Sequence, residues 1–222
     1  MRGIVLALML LPPALPTAAQ ETVGLRVGLG SAKMVLAENV LIDLCPPSGP
    51  PNEINPITAC PGLATGWAYS LTFGADLSVP LGEFLEIRVG GALTEKGGAA
   101  SGRAAGGGTL IGELSVGYLQ ISSLLRLRTR VHPESRLSVG LLVGPWLAMS
   151  LWCGNAGAAH GCSAFEREMP DGGFAVGGGV EAKLFSDSSL GVDAIYHRGL
   201  EKFGSFATTF LAIQMGFVFP ID

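Results

Sequence analysis

Residues 69–93 read YSLTFGADLSVPLGEFLEIRVGGAL, and two stretches of this segment alternate apolar and polar residues. Apolar residues occupy the odd positions from Tyr69 to Val79, and again most odd positions from Leu85 to Leu93. A period of two is the pattern of a β-strand with one apolar and one polar face. The turn-forming residues PLGE, at 80–83, separate the stretches, and so short a link predicts an antiparallel hairpin.

The two faces predicted for this hairpin differ in charge. The odd face carries no charged residue along either strand, whereas the even face carries Asp76, Glu86 and Arg88 among serine, threonine and glycine. Transmembrane β-barrels have this pattern, because they turn an apolar face to lipid and a polar face to the interior. The hairpin therefore predicts a membrane barrel.

The composition of the chain favours the same fold. Charged residues make up 14% of the 222 residues, whereas soluble domains carry about 25%. A soluble protein with so few charges has little with which to coat its surface, but a barrel that faces lipid has no such need. The net charge of −4 and the lack of a basic tract give no indication of a nucleic-acid partner.

The N-terminal residues 1–19 read MRGIVLALMLLPPALPTAA and predict a secretory signal peptide. Arg2 supplies the positive start, residues 4–11 the apolar run, and Thr17 and Ala19 the small residues before a cleavage site. The alternative is a membrane anchor, for which the run is too short. No later stretch is apolar over about 18 residues, so a closed barrel is the remaining way to cross a bilayer. Residues 20–222 are predicted to form one outer-membrane β-barrel domain.

Alternation elsewhere in the chain predicts further strands of the same kind. With the hairpin, the predicted strands are residues 23–30, 69–79, 85–93, 110–128, 137–149, 174–184, 190–196 and 211–219. Short connections alternate with longer loops at 31–66, 95–108, 151–171 and 199–205, as in barrels with short periplasmic turns and long extracellular loops. The prediction is an all-β fold, an eight-stranded antiparallel up-and-down transmembrane β-barrel, with both termini in the periplasm of a bacterial outer membrane.

Two details of the strands need a local explanation. In the fourth strand, Val116 and Tyr118 are apolar at even positions, whereas Leu119 and Ile121 are apolar at odd ones. Either a β-bulge at 117–119 absorbs one residue, or the first half projects beyond the membrane. Aromatic residues near strand ends suggest interfacial girdles, namely Trp67, Tyr69, Tyr118, Phe174 and Tyr196 at one side and Phe217 and Phe219 at the other. The alternative is that aromatic residues simply favour strands.

The inward faces of the predicted strands carry charged and titratable residues of both signs. They are Arg26, Asp76, Glu86, Arg88, Arg126, Glu181, Lys183, Asp193 and His197. An eight-stranded barrel is just wide enough to be filled by side chains, and unpaired buried charges are costly. We therefore predict an interior network of ion pairs that plugs the lumen. A narrow ion path and a catalytic carboxylate pair are the alternatives.

The four cysteines all lie in predicted loops and should be oxidised in an exported protein. They are Cys45, Cys60, Cys153 and Cys162. We favour the pairs Cys45–Cys60 and Cys153–Cys162, since each would close a loop of its own, and a cross-loop pairing is the alternative. The spacing of Cys153, His160 and Cys162 fits no standard zinc finger, so no metal ligands are predicted.

Several segments, in this order, resemble the PorT-like outer-membrane β-barrel proteins over nearly all of residues 20–222. They are TEKGG at 94–98, GYLQISSLLRLR at 117–128, GLLVGPWLAMSL at 140–151, GGGVEAKL at 177–184 and MGFVFP at 215–220. The resemblance implies an eight-stranded outer-membrane barrel, with a role in protein secretion for some members. It carries over no catalytic residues. One departure is that Phe219 is followed by three further residues, whereas such chains often end on an aromatic residue.

The sequence favours a structural or binding barrel over three alternatives. Its expected partners are outer-membrane lipid, an extracellular ligand, or another envelope or secretion protein, met through disulfide-braced loops such as 45–60. A protective loop that binds nothing is the alternative for that loop. The alternatives are a narrow pore or transporter of small solutes, a lipid-modifying enzyme that uses His197 with Ser150 or Ser205, and a soluble lipocalin-like barrel. No nucleophile elbow or HExxH motif occurs, so we expect no enzyme activity, no catalytic residues and no cofactor.

Overall fold

The computed structural model describes residues 20–36, 64–103, 109–131, 135–156, 170–184, 188–200 and 206–221. Its strands are β1 (Thr22–Leu36), β2 (Ala64–Pro80), β3 (Leu85–Arg103), β4 (Thr109–Arg130), β5 (Leu137–Ala156), β6 (Pro170–Lys183), β7 (Ser189–Gly199) and β8 (Phe206–Pro220). The described residues include no helix that is long and apolar enough to span a membrane. The predicted signal peptide, residues 1–19, lies outside them and stays a prediction.

The strands close into a single antiparallel barrel. Each strand pairs with the next one in the chain, and β8 returns to pair with β1. The closing pair extends from Thr22 opposite Pro220 to Leu36 opposite Phe206. The predicted eight-stranded antiparallel barrel is therefore confirmed.

The alternation in the sequence places apolar residues on the outer wall and polar residues inside. In β2, Phe73 is 61% exposed, whereas its neighbour Thr72 is 3% exposed. Asp76, Glu86 and Arg88 are all buried within the barrel. The wall is thus inverted relative to a soluble protein, with the charges inside and the large apolar side chains outside.

The strand pairs β2–β3, β4–β5 and β6–β7 are each joined by a short connection at the same end of the barrel, which we call the short-turn end. Backbone hydrogen bonds close these turns, for example from Leu81 N to Leu85 O at 2.8 Å and from Val131 N to Leu137 O at 3.1 Å. The start of β1 and the end of β8 meet at this end too, where Ile221 N donates to Glu21 O at 2.9 Å. The opposite end, from which the longer connections leave, is the long-loop end.

The predicted flexible loop at 95–108 is largely wrong. Strand β3 continues to Arg103 and pairs in unbroken register with β4, from Leu85 opposite Leu127 to Arg103 opposite Thr109. A β-ladder is made by backbone groups, so the small residues of this stretch can pair although they lack strand propensity. Residues 104–108 lie outside the described residues.

At other long connections, too, the observed strands extend into residues predicted to form loops. Strand β1 extends to Leu36, β5 extends to Ala156, and β6 already begins at Pro170. The ladder between β1 and β8 continues to Leu36, beyond the last residue of the apolar alternation. Strands therefore extend past the apolar band at the long-loop end, where alternation no longer marks them.

The predicted bulge occurs at the expected height but on the neighbouring strand. The register between β4 and β5 shifts between Gly117 and Tyr118, which pair with Trp152 and Ser150. The extra residue is thus Leu151 on β5. Strand β4 keeps one phase, so Val116 and Tyr118 are buried inside the barrel. The aromatic girdle predicted for the long-loop side consequently loses Tyr118, whereas Trp67, Tyr69 and Phe174 are exposed on the outer wall.

Candidate functional site

Four charged side chains from four strands meet inside the barrel, and we call them the four-charge cluster: Arg26 of β1, Asp76 of β2, Arg88 of β3 and Asp193 of β7. Asp193 Oδ2 accepts hydrogen bonds from Arg26 Nη1 at 2.6 Å and from Arg88 Nη1 at 2.7 Å. Arg26 Nε also pairs with Asp76, and Arg88 Nε lies 3.6 Å from Asp76 Oδ1. Two positive and two negative groups are thus brought together with no excess charge, all of them buried.

A second cluster of charges lies nearer the short-turn end. Arg126 Nη1 donates to Glu181 Oε2 at 2.6 Å and lies 3.7 Å from Glu86 Oε1. Arg128 Nη1 lies 3.5 Å from Glu86 Oε2, and 40% of its side chain is exposed. This cluster links β3, β4 and β6, and Arg128 connects it to the open end of the barrel.

Lys183, which we predicted to belong to the interior network, is exposed instead. It is the last residue of β6, at the short-turn end. Its position on the inward face of β6 therefore places Lys183 at the mouth of the barrel and not in the interior. That part of the prediction is wrong, because alternation specifies a face of the strand but not a depth in the barrel.

A caged cation lies in the long-loop half, and sequence reasoning missed it. The Nζ atom of Lys96 lies 4.0 Å from the ring centre of Trp146, 5.0 Å from that of Tyr118 and 5.9 Å from that of Phe210. It also lies 3.6 Å from Asp171 Oδ2. We call these five residues the lysine plug. Attraction between a cation and aromatic faces is strongest where water is excluded, and Lys96 is fully buried.

The lysine plug was missed because its charged residues fell in predicted loops. Lys96 continues the even, inward face of Glu86, Arg88 and Thr94, so extending the alternation of β3 would have found it. Asp171 gives no such sign, since it lies at the start of β6, beyond the apolar alternation. Its carboxylate accepts a hydrogen bond from the Thr208 hydroxyl of β8, the strand that also supplies Phe210 to the plug.

His197, also predicted in the network, lies beside the lysine plug. Its Nδ1 atom is 3.4 Å from Gln120 Nε2. Its ring packs edge-on against Trp146, with ring centroids 5.8 Å apart, and in a tilted arrangement against Phe210, with ring centroids 5.4 Å apart. Within the described part of the chain, no serine hydroxyl is seen to bond to this ring, and Ser205 lies outside that part. The arrangement gives no support to a Ser–His pair.

A cavity of about 50 Å³ lies between the four-charge cluster and His197. The four-charge cluster lines it at one side, through Arg26, Asp76 and Arg88, and Gln120 and His197 line it at the other. A cavity of this size has room for a few water molecules. Among the described residues, charge pairs and the lysine plug thus occupy the lumen on either side of this small polar cavity.

The predicted disulfides and the rejected metal site concern residues that are mostly outside the described ranges. Of the four cysteines only Cys153 lies within them, and it is not a free thiol. Cys45, Cys60, His160 and Cys162 lie outside, so the pairing stays a prediction. Among the residues that the structure describes, no group of three or more histidine, cysteine, aspartate or glutamate residues is arranged to hold a metal ion.

Comparison with solved structures places the fold among small outer-membrane barrels. The outer membrane protein OprG from Pseudomonas aeruginosa is 9% identical, with coverage of 91% of this chain and 96% of OprG, at a TM-score of 0.56. Ail, the attachment invasion locus protein of Yersinia pestis, is 9% identical in its complex with the heparin analogue sucrose octasulfate, with 90% and 99% coverage and a TM-score of 0.42. No protein-family model matches the chain, and no curated protein does either.

Proposed function

We propose that this protein is a non-conducting barrel of the bacterial outer membrane with a structural or binding role. The observation that carries the proposal is the filled lumen, in which two ion-pair clusters and the lysine plug cross the barrel from different strands. A pore needs a continuous polar path, whereas here the polar chamber is about 50 Å³ and has buried side chains on both sides. The alternative of a narrow pore is therefore the less favoured one.

The outer wall and the fold support the outer-membrane location. Large apolar side chains such as Phe73, Leu141 and Ile213 are more than half exposed, which suits a lipid environment and not water. The OprG-like fold agrees with this location. By the usual orientation of such barrels, the short-turn end and both chain termini would face the periplasm, and the loops would face outward.

The loops are the proposed contact surface for a partner. Disulfides Cys45–Cys60 and Cys153–Cys162 would brace two of them, and closing a loop of about 15 residues contributes roughly 3 kcal/mol in the chain-entropy model. The resemblance to PorT-like proteins supports a partner in the cell envelope or in protein secretion. We do not propose an enzyme, since the interior charges pair with one another and no catalytic arrangement accompanies His197 in the described residues.

Single-channel recording in a planar bilayer tests the proposal. The refolded protein, with insertion verified by heat-dependent gel mobility, should show no conductance steps above the lipid background. Reproducible steps that change on Arg88→Gln would mean that the charged lumen is a path, and would favour the pore. A protein that stays soluble and migrates identically boiled and unboiled would reject the membrane barrel itself.

A further inference from the structure

Two adjoining depressions at the short-turn end lie outside the interior charge clusters. The first is a pocket of about 480 Å³ at the mouth of the barrel, whose basic lining residues are Arg128, Arg130, Arg136 and Lys183. The second is a groove of about 420 Å³, lined mainly by Phe84, Leu127, Thr129, Val139 and Leu141. Phe84, Arg128 and Thr129 line both, so the pocket and the groove meet. We call them the mouth pocket and the wall groove.

The described lining of the mouth pocket includes two exposed cations, Arg136 and Lys183. Its other basic residues are already engaged, since Arg128 lies 3.5 Å from Glu86 and Arg130 also has an interaction partner. The acidic residues of the described lining are Glu83 and Glu181. Glu181 is already bonded to Arg126 at 2.6 Å, so its carboxylate is largely neutralised from within. Arg136 and Lys183 are both exposed, and their charges are directed to the mouth and not to the interior network. The pocket therefore suits an anionic group.

Backbone hydrogen bonds fix the residues that carry these charges. Lys183 N donates to Arg136 O at 2.9 Å, which holds the two exposed cations on adjacent strand ends. Arg128 N donates to Phe84 O at 2.9 Å, which ties the β2–β3 turn to β4. The backbone positions of these lining residues are thus fixed by hydrogen bonds between neighbouring strand ends.

The wall groove is apolar and lies on the outer surface. Phe84, Leu127 and Leu141 are each more than half exposed. A hydrocarbon chain is the natural occupant of an apolar groove on a lipid-facing wall. This groove adjoins the cationic mouth pocket, with which it shares Phe84, Arg128 and Thr129.

We propose that the mouth pocket and the wall groove together bind one anionic phospholipid, with its phosphate at Arg136 and Lys183 and an acyl chain along Phe84 and Leu141. Guanidinium groups pair with phosphate by charge-assisted hydrogen bonds, and basic side chains near a bilayer attract anionic lipid. A soluble anion would fill the pocket alone, whereas an amphiphile fills both depressions. This inference rests on the proposed membrane location, with the short-turn end at the inner leaflet.

Lipid retention by the folded barrel tests the inference. The protein is refolded in vesicles with equal amounts of phosphatidylglycerol and phosphatidylcholine, extracted mildly, and its bound lipids are counted by native mass spectrometry. Phosphatidylglycerol should be enriched on the wild-type protein. The double substitution Arg136→Gln/Lys183→Gln should lower this enrichment by roughly an order of magnitude, since each basic group near the surface attracts anionic lipid severalfold.

Two further variants separate the parts of the site. Thr129→Trp should fill the region shared by pocket and groove and lower retention without changing charge. Arg198→Gln removes an exposed arginine of β7 near the long-loop end, outside the proposed site, and should lower the enrichment far less than the double substitution does. An excess of soluble glycerol phosphate should leave the enrichment unchanged, because it cannot occupy the groove.

Several results would overturn the inference. Equal enrichment in the wild type and the double variant would mean that the pocket selects no lipid, and full displacement by glycerol phosphate would mean a site for free phosphate. Heat-dependent gel mobility of the same samples reports folding. Inserted, folded protein without lipid selectivity would thus contradict the lipid site alone, whereas protein that never inserts would contradict both this site and the proposed membrane location.

Discussion

The carboxylate of Asp193 occupies the space in which any residue but glycine at position 179 would place its first side-chain carbon. A Cβ atom on Gly179 would lie 1.8 Å from Asp193 Oδ1, and Asp193 is itself held by Arg26 and Arg88. Gly24 stands in the same relation to Asp76, with a distance of 2.9 Å. Gly179 and Gly24 thus leave room, by lacking a side chain, for the interior carboxylates of Asp193 and Asp76.

Gly179→Ala should destabilise the barrel by displacing Asp193 from its two arginines. Overpacking of a filled interior costs about 1–3 kcal/mol, and the loss of ion pairing adds to it. The measurement is the free energy of unfolding in urea, with the protein refolded in lipid vesicles. Gly178→Ala is the matched control, since its Cβ would meet nothing nearer than the Gly140 carbonyl oxygen at 3.4 Å. If Gly179→Ala and Gly178→Ala both unfold at the same urea concentration as the wild type, the Asp193 carboxylate does not occupy the space beside residue 179.

Asp193→Asn should leave Arg26 and Arg88 without the carboxylate that both of them contact. Removing one partner from a buried ion pair costs about 3–5 kcal/mol. The double variant Arg88→Gln/Asp193→Asn should lose less than the sum of the two single changes, with a coupling of about 0.5–3 kcal/mol. Strictly additive losses in the same unfolding assay would show that these side chains do not interact.

Lys96→Met should destabilise the long-loop half of the barrel. The change removes the cation from its aromatic cage and leaves the buried Asp171 carboxylate with only neutral hydrogen-bond donors among the described residues, the Thr208 hydroxyl and the Gly172 backbone N–H. We expect a loss of about 3–5 kcal/mol, as for other broken buried pairs. Lys96→Met/Asp171→Asn should recover much of it, because no unpaired charge remains. A single variant as stable as the wild type would rule out the pairing.

Quenching of tryptophan fluorescence by brominated lipid should distinguish side chains on the outer wall from side chains in the interior. Trp146 is 1% exposed inside the barrel, whereas Phe73 is 61% exposed on the wall. In a background with Trp67→Phe and Trp152→Phe, brominated lipid should leave Trp146 fluorescence nearly unchanged. Adding Phe73→Trp and Trp146→Phe to that background should give strong quenching. Equal quenching in the two variants would contradict the assignment of faces.

Much of the fold and part of the site follow from local sequence patterns. The hairpin at 69–93 predicts both its faces and its turn, because alternation reports directly on which side of a strand is apolar. The same reasoning places Arg26, Asp76 and Arg88 on inward faces, where the structure finds them buried. It fails where strands extend beyond the apolar band, and for this reason it assigned Lys96 and Asp171 to loops.

The sequence by itself determined the class of the fold, the number of strands and the polar character of the interior, since each depends on residues that are neighbours in the chain. Only the tertiary structure decided that Arg26 and Arg88 share Asp193, that Leu151 and not a residue of β4 forms the bulge, and that three aromatic rings surround Lys96. These contacts join residues that are far apart in sequence. They are set by the register of every strand around a closed barrel, and a period of two in one strand carries no information about that register.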